Sequence, residues 1–298
     1  KQQEFAIEWI NRNAKIKNWR VVLADTVAAH AFLFSIKKQL NIAAYAPSSD
    51  VLLNECHNKW LFYQRLRNAG IPTPKSLLIS NLELLDEQFI NEIGFPLIVK
   101  PLNASASSGI FRFNDYKSLS MYLRSPGPYK ELPLIAQTFI EGDSLSSSFI
   151  ALDGDILSAN VDLHNKDKSY TFVNEPHILK MTQNIIKEFH YGGPGNIDFI
   201  QDKITKQTYA LEFNCRFWLT VHLSEWHGVN FPDLAAKTCL GQKISESVTT
   251  PGQVFFPSVL FRLLKHPSML RKIDLANWKG IWRSISDPLP QLFRALKK

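Results

Sequence analysis

Two short segments late in the chain constrain it most: Gly195-Asn196-Ile197-Asp198-Phe199-Ile200-Gln201 and Tyr209-Ala210-Leu211-Glu212-Phe213-Asn214-Cys215-Arg216. Both alternate polar and apolar residues, the period of a half-buried strand. The polar stretch between them, residues 202–207, has the length of a hairpin turn. Folded so, Asn196 and Asp198 share one face of the first arm. Glu212 and Asn214 share one face of the second, Leu211 and Phe213 point the other way, and Asp198 lies roughly opposite Glu212. Two carboxylates buried together without a cation would cost several kcal/mol. Two carboxylates, an amide oxygen and a following Arg instead read as a hard-cation site, oxygen ligands for Mg²⁺ beside an anion-binding guanidinium. The competing reading is an amphipathic surface hairpin whose acids are solvated.

Upstream, the run from Gly94 to Ile110 places an apolar strand ending in Lys100-Pro101 before a small-residue loop, and a further strand follows from Ile110 to Phe113. Small residues let a backbone approach phosphates and offer them N–H groups and hydroxyls. No helix opening with Lys-Ser/Thr follows, so this is not the GxxxxGK[ST] phosphate loop. A hairpin loop with a chance Lys fits the segment as well.

Together these segments resemble the ATP-grasp superfamily. Asn58-Lys59-Trp60 through Ala69-Gly70-Ile71-Pro72-Thr73-Pro74 is similar to the "dK…l…GiPtP" start of its first lobe. Gly94–Gly109 is similar to its "GfPlivKP…sG" nucleotide strand and flap. Residues 134–143, Leu-Ile-Ala-Gln-Thr-Phe-Ile-Glu-Gly-Asp, are similar to its inter-lobe hinge, and Asp198 with Glu212-Phe213-Asn214-Cys215-Arg216-Phe217 to its metal motif "D…EiNpRf". The order and spacing match over about residues 56 to 245, and the carbamoyl-phosphate-synthase-like branch is the nearer in pattern.

The resemblance implies an α+β fold in which two α/β lobes grip a nucleotide, preceded by a short βαβ-like piece. It divides the chain into 1–55 (a preceding segment shorter than is usual for the family), 56–135 (first lobe), 136–245 (second lobe with the metal hairpin) and 246–298 (a basic extension). It implies ATP as cofactor with one or two Mg²⁺, Mn²⁺ being the alternative ion. Lys59 and Lys100 would meet the phosphates, although a solvated helix-start lysine fits Lys59 nearly as well. The flap from Ser105, with Ser107, Ser108 and Gly109, would cover the β- and γ-phosphates. Gln137, Phe139 and Ile140 would read adenine, and Ser144 stands where a ribose-binding Glu is usual. Asp198, Glu212 and Asn214 would hold the metal, with Lys100 and Arg216 as the catalytic cations. The implied activity is a carboxylate–amine ligase that passes through an acyl phosphate. The alternative is a degenerate relative that binds nucleotide as a regulatory or scaffold module.

Composition agrees with a globular enzyme: 298 residues, 45% hydrophobic and 20% charged. No apolar run reaches the roughly 18 residues that span a bilayer, so no transmembrane segment is expected. Lys1-Gln2-Gln3-Glu4 lacks the apolar core of a signal peptide. Three cysteines, an odd and sparse count, favour a reducing cytosol, hence a cytoplasmic protein. The net charge of +7 is spread along the chain with an excess at the C-terminus, and no recognition motif points to specific nucleic-acid binding. Small-molecule carboxylate and amine substrates are the expected partners, and a homodimer stays open.

Local pattern predicts helices near 4–13, 28–40, 58–69, 179–189 and 231–240. It predicts strands near 19–24, 42–46, 144–152, 155–161, 196–201, 208–214 and 253–256. Variable loops at 160–178 and 217–230 are expected to shape the acceptor pocket. Cys215 reads as a small buried residue. His222 and His227 read as core or surface histidines, with substrate contact as the sharper alternative.

Overall fold

The computed structural model describes the 298-residue chain except residues 84, 105–107, 168, 245–248, 256–266, 269–274 and 287–298, and the side chains of 89, 255, 275, 276, 280, 283 and 284. Ser107, and with it most of the expected flap, lies outside the described residues.

Helix α1 (Gln2–Lys17) is longer than its pattern suggested and ends at Asn18, whose φ of 53° closes it in the left-handed region. Strands β1 (Val21–Leu23) and β2 (Ala43–Tyr45) pair in parallel, with helix α2 (Val27–Ile36) crossing between them. This is the expected βαβ piece. Thr26 caps α2 by accepting from the Ala29 N–H at 3.1 Å. Helix α3 (Asp50–His57) was not legible in the sequence. Its eight residues carry little periodicity of their own, and it forms by burying Leu53 and Cys56 against the neighbouring core. Helix α4 (Lys59–Asn68) follows at once, its first turn capped by the Asn58 side chain, which accepts from Trp60 and Leu61 at 3.0 and 3.2 Å.

A four-stranded antiparallel sheet comes next, in the order β3 (Ser76–Ile79), β6 (Leu134–Thr138), β4 (Leu97–Pro101), β5 (Phe111–Phe113). Helices α5 (Glu87–Asn91) and α6 (Tyr116–Arg124) accompany it. Ile79, Ile90, Leu97, Val99, Leu119 and Leu134 form its core. From β6 the chain passes into the larger sheet.

That sheet has six strands in the order β11-β10-β7-β8-β9-β12. In chain order they are β7 (Gly142–Leu152), β8 (Asp155–His164), β9 (Ser169–Val173), β10 (Gly193–Asp202), β11 (Thr208–Asn214) and β12 (Gly252–Phe255). Helix α7 (Pro176–Phe189) lies between β9 and β10, α8 (Val221–Trp226) and α9 (Phe231–Cys239) between β11 and β12, and α10 (Leu275–Ser286) after β12. The expected acceptor loop at 160–178 is therefore corrected: β8 continues to His164, β9 occupies 169–173, and α7 begins at Pro176. The alternation Asn160-Val161-Asp162-Leu163-His164 carries β8 on, burying Val161.

One face of the large sheet is apolar. Phe149, Ile197, Phe199 and Phe213 meet Leu53, Phe62 and Leu66 from α3 and α4, and Ile178, Ile185 and Phe189 from α7. Phe213 is 1% exposed, and its ring lies near those of Phe62, Phe149, Phe189 and Tyr191. Truncating such an aromatic to Ala costs about 3–5 kcal/mol, so core packing pins β11 at the residue between Glu212 and Asn214. Gly142 begins β7 where a Cβ would collide with the backbone carbonyl of Gln201, which is why a residue without a side chain opens the pairing with β10.

Candidate functional site

Strand register decides which side chains share the other face. Asp198 pairs with Glu212, and Asn196 with Asn214, as the hairpin pattern predicts. Pairing continues inward: Asp198 with Ser146 and Ser146 with Asp162, so one polar row runs Glu212, Asp198, Ser146, Asp162 across four strands. The next row, one pleat further from Gly142, runs Asn214, Asn196, Ser148, Asn160. A solvated hairpin is excluded, because Asn196 is only 6% exposed and Glu212 has 20% of its side chain exposed.

Two lysines from elsewhere converge on the first row. Lys59 opens α4, is 5% exposed, and places its ammonium 3.2 Å from Glu212 Oε2 and 2.6 Å from the Ala104 carbonyl. The solvated alternative for Lys59 is thereby corrected. Lys100 near the end of β4 is 3% exposed and donates to Gln137 Oε1 at 3.0 Å. Gln137 Nε2 in turn donates to Ser76 Oγ at 3.0 Å. The Gln137 backbone is paired on both sides within the sheet, with Ser76 and Ile98, so this residue holds Lys100 rather than offering a free edge to a base.

Burial dominates the electrostatics. Desolvation, reinforced by the neighbouring Glu212, pushes the Asp198 carboxyl well above the usual carboxylate range. Burial also raises Glu212, but the Lys59 and Lys100 ammonium groups outweigh it and hold that carboxyl below its ordinary value. Of the pair, Asp198 is the carboxyl that favours its proton and Glu212 the one that favours its charge. Burial brings Lys100 down to about 8, against an opposing pull from Glu212.

The remaining expected residues sit as follows. Asn214 Nδ2 donates to Asp198 Oδ2 at 3.3 Å, and its Oδ1 accepts from Arg216 Nη2 at 3.4 Å. Arg216 is half-buried and also donates to the Phe217 carbonyl at 2.9 Å. The Phe139 ring, at the hinge, carries the Arg112 guanidinium 4.0 Å above it, tying β5 to the hinge. Ile140 follows Phe139 and is half-buried. Gly109 turns with φ 74°, and a Cβ there would stand 2.7 Å from the Tyr129 Cβ, so packing against Tyr129 demands glycine; Ser108 beside it is half-buried. A cleft of about 670 Å³ opens beyond β4, lined by Asn58, Asn103, Ala104, Tyr129 and Glu131 among others.

Sequence reading missed Ser146, Asp162 and His164. The Asp162 carboxylate accepts from Ser146 Oγ at 3.2 Å and lies 3.2 Å from His164 Nε2, while His164 Nδ1 is 3.4 Å from Ser144 Oγ. Burial lowers the His164 imidazole, but its hydrogen bond to the Asp162 carboxylate and the negative charge of Asp162 and Asp198 overcome it, so its pKa is raised. The signal was present as period-2 alternation in 160–164, whereas the serine run 144–148 masks it in β7. Cys215 is fully buried, donates to the Leu53 carbonyl at 3.4 Å and is pushed up to about 12, which disqualifies it as a nucleophile. His227 is 2% exposed with its ring against Phe172, a core histidine. His222 stacks edge-on with Trp226.

The donor set suits a hard divalent cation: two carboxylates on facing strands with the Asn214 amide beside them, one carboxyl made unusually basic by burial and by the other's charge. The flanking lysines and Arg216 are suited to anions that such a cation would bring.

Comparison with known proteins bears on what binds there. A family model described as "ATP-grasp domain" matches residues 56–220. The carbamoyl phosphate synthase large chain of Pyrococcus furiosus is 22% identical over 213 residues, covering 66% of this chain and 20% of that protein. A D-alanine–D-alanine ligase of Thermoanaerobacter sp. is 23% identical over 197 residues, covering 58% of this chain and 54% of that protein. The chain thus spans about half or less of the length of these curated relatives, and both branches match at similar identity. A Campylobacter jejuni biotin carboxylase structure, solved as a β-γ-ATP complex, superposes with TM-score 0.69 at 17% identity, covering 83% of this chain and 60% of that one.

Proposed function

The chain belongs to the ATP-grasp family, and from that premise we propose that it is an ATP-dependent ligase that joins a carboxylate to an amine. The carboxylate attacks the γ-phosphate, giving an acyl phosphate and ADP, and the amine then displaces phosphate. Activation is needed because a carboxylate's oxide leaves poorly and phosphate leaves readily. One observation carries this reading: two buried lysines from different segments meet a buried carboxylate pair, with Arg216 two residues past the end of β11. Fixed cations gathered around a cation site are tolerable only where a polyanion lies among them.

Lys59 and Lys100 hold the phosphates, with Ser107, Ser108 and Gly109 over them. Phe139 and Ile140 take the adenine, and Ser144, helped by its His164 neighbour, faces the ribose. Asp198, Glu212 and Asn214 would hold Mg²⁺, which would supply charge neutralisation for phosphoryl transfer. Arg216 stabilises the acyl phosphate and the oxyanion formed by amine attack. The rest is positioning within segments 56–135 and 136–245, in a cytoplasmic enzyme. No helix among the described residues is long and apolar enough to cross a membrane.

Ser144 in place of the usual acidic residue favours a second reading, a relative that binds nucleotide without ligating. Positional exchange of the bridging oxygen in labelled ATP, screened against a panel of carboxylic acids, separates the two. Acid-dependent exchange supports the ligase, and its absence across the panel supports the nucleotide-binding module.

A further inference from the structure

Asn160 sits in the middle of β8, 3% exposed, and neither its Nδ2 nor its Oδ1 has a hydrogen-bond partner among the described residues. Burying both ends of an amide unpaired is a desolvation cost that nothing in the fold offsets. A leucine of similar volume would pack there without it. Such a residue calls for an explanation, and its position suggests one.

Asn160 is in register with Ser148, Ser148 with Asn196 and Asn196 with Asn214, so all four share the face that carries Asp198 and Glu212. Their row lies one pleat further from Gly142, where β7 leaves the hinge. A nucleotide reaching from Phe139 and Ile140 to the paired carboxylates would end at the first row. The second row then borders the space where the acid and the amine must meet. Within that row Asn196 Nδ2 already donates to Ser148 Oγ at 2.9 Å, which leaves Asn160 as its open amide.

The chemistry of the open group narrows its ligand. A carboxylate could use Nδ2 only, and would set an oxygen against Oδ1 with the Asp162 carboxylate two residues along the strand. An ammonium could use Oδ1 only, and the Asp162 carboxylate two residues along the strand would attract it out of the row. A carboxamide supplies one acceptor and one donor side by side and satisfies both atoms of Asn160 at once. Building on the ligase reading, we propose that Asn160 is a specificity-determining residue that pairs with a neutral carboxamide carried by one of the two substrates.

The test compares the wild type with Asn160→Leu in the presence of MgADP. The probes are matched sets differing in one group: asparagine, aspartate and leucine, then glutamine, glutamate and methionine. Without probe, Asn160→Leu should melt about 2 °C higher, because the unpaired amide is gone. With probe, a carboxamide member should raise the melting temperature of the wild type more than its carboxylate or aliphatic counterpart, and should not do so in the variant. The proposal is overturned if the variant melts at the same or a lower temperature, which would mean the amide is satisfied structurally. It is equally overturned if the three members of each set shift the wild type alike, or if the variant responds as the wild type does. No arm needs turnover, so a failed ligase reading shows separately, as absent acid-dependent oxygen exchange with the carboxamide preference intact.

Discussion

Lys59 and Glu212 face each other at 3.2 Å, the ammonium at the first residue of α4 and the carboxylate on β11. Lys59 and Lys100 favour the charged form of Glu212, while burial and that charge favour the protonated form of Asp198. A divalent cation entering between the two carboxylates therefore competes with a proton on Asp198. Mg²⁺ binding should release up to about one proton per ion at neutral pH, and affinity should strengthen as pH rises, because Mg²⁺ binds only the ionised form. Calorimetry in two buffers of different ionisation enthalpy measures this, and identical heats would count against the assignment.

Glu212→Gln should abolish Mg²⁺-dependent ATP turnover, by at least about two orders of magnitude, or about 3 kcal/mol. Folding should persist, since Lys59 keeps its bond to the Ala104 carbonyl. Circular dichroism would check the fold, and turnover at the wild-type rate would remove Glu212 from the site.

Lys100→Ala should weaken ATP and ADP binding far more than adenosine binding, because the ammonium meets phosphate. In the free protein Lys100 titrates at about 8. Phosphate favours its charged form, so nucleotide binding should draw in a proton near that pH and weaken as pH rises through it. A flat affinity between pH 7 and 9 would show that Lys100 does not meet the phosphates.

Arg216 donates to Asn214 Oδ1 from two residues further along the chain. Arg216→Lys keeps the charge and loses the planar fork, so MgATP should bind nearly normally while oxygen exchange slows at least about tenfold. Equal losses in binding and exchange would mean that Arg216 serves the ground state only.

Cys215→Ala should retain acid-dependent exchange within about twofold, because a thiol held at about 12 and donating to Leu53 is no nucleophile. A variant that folds but loses all exchange would reopen a covalent role.

Much of the site is written in local pattern. Period-2 patterning marks Ile197 and Phe213 for burial, but the register that starts at the turn, Gln201 with Thr208 through Phe199 with Ala210, shifts between Phe199 and Asp198, and only that shift sets Asp198 opposite Glu212. Lys100 declares itself by ending an apolar strand. Tertiary structure decided the rest. Ser146 and Asp162 join the first row and Asn160 the second because β7, which turns directly into β8, also pairs with β10, a long-range adjacency set by burial of the apolar face. Gln137 belongs to Lys100, and Lys59 to Glu212, only because α4 and the small sheet pack where they do. Side-chain periodicity tells each strand which face to bury. Which strands lie side by side, and hence which polar groups meet on the other face, follows from long-range packing that no single segment encodes.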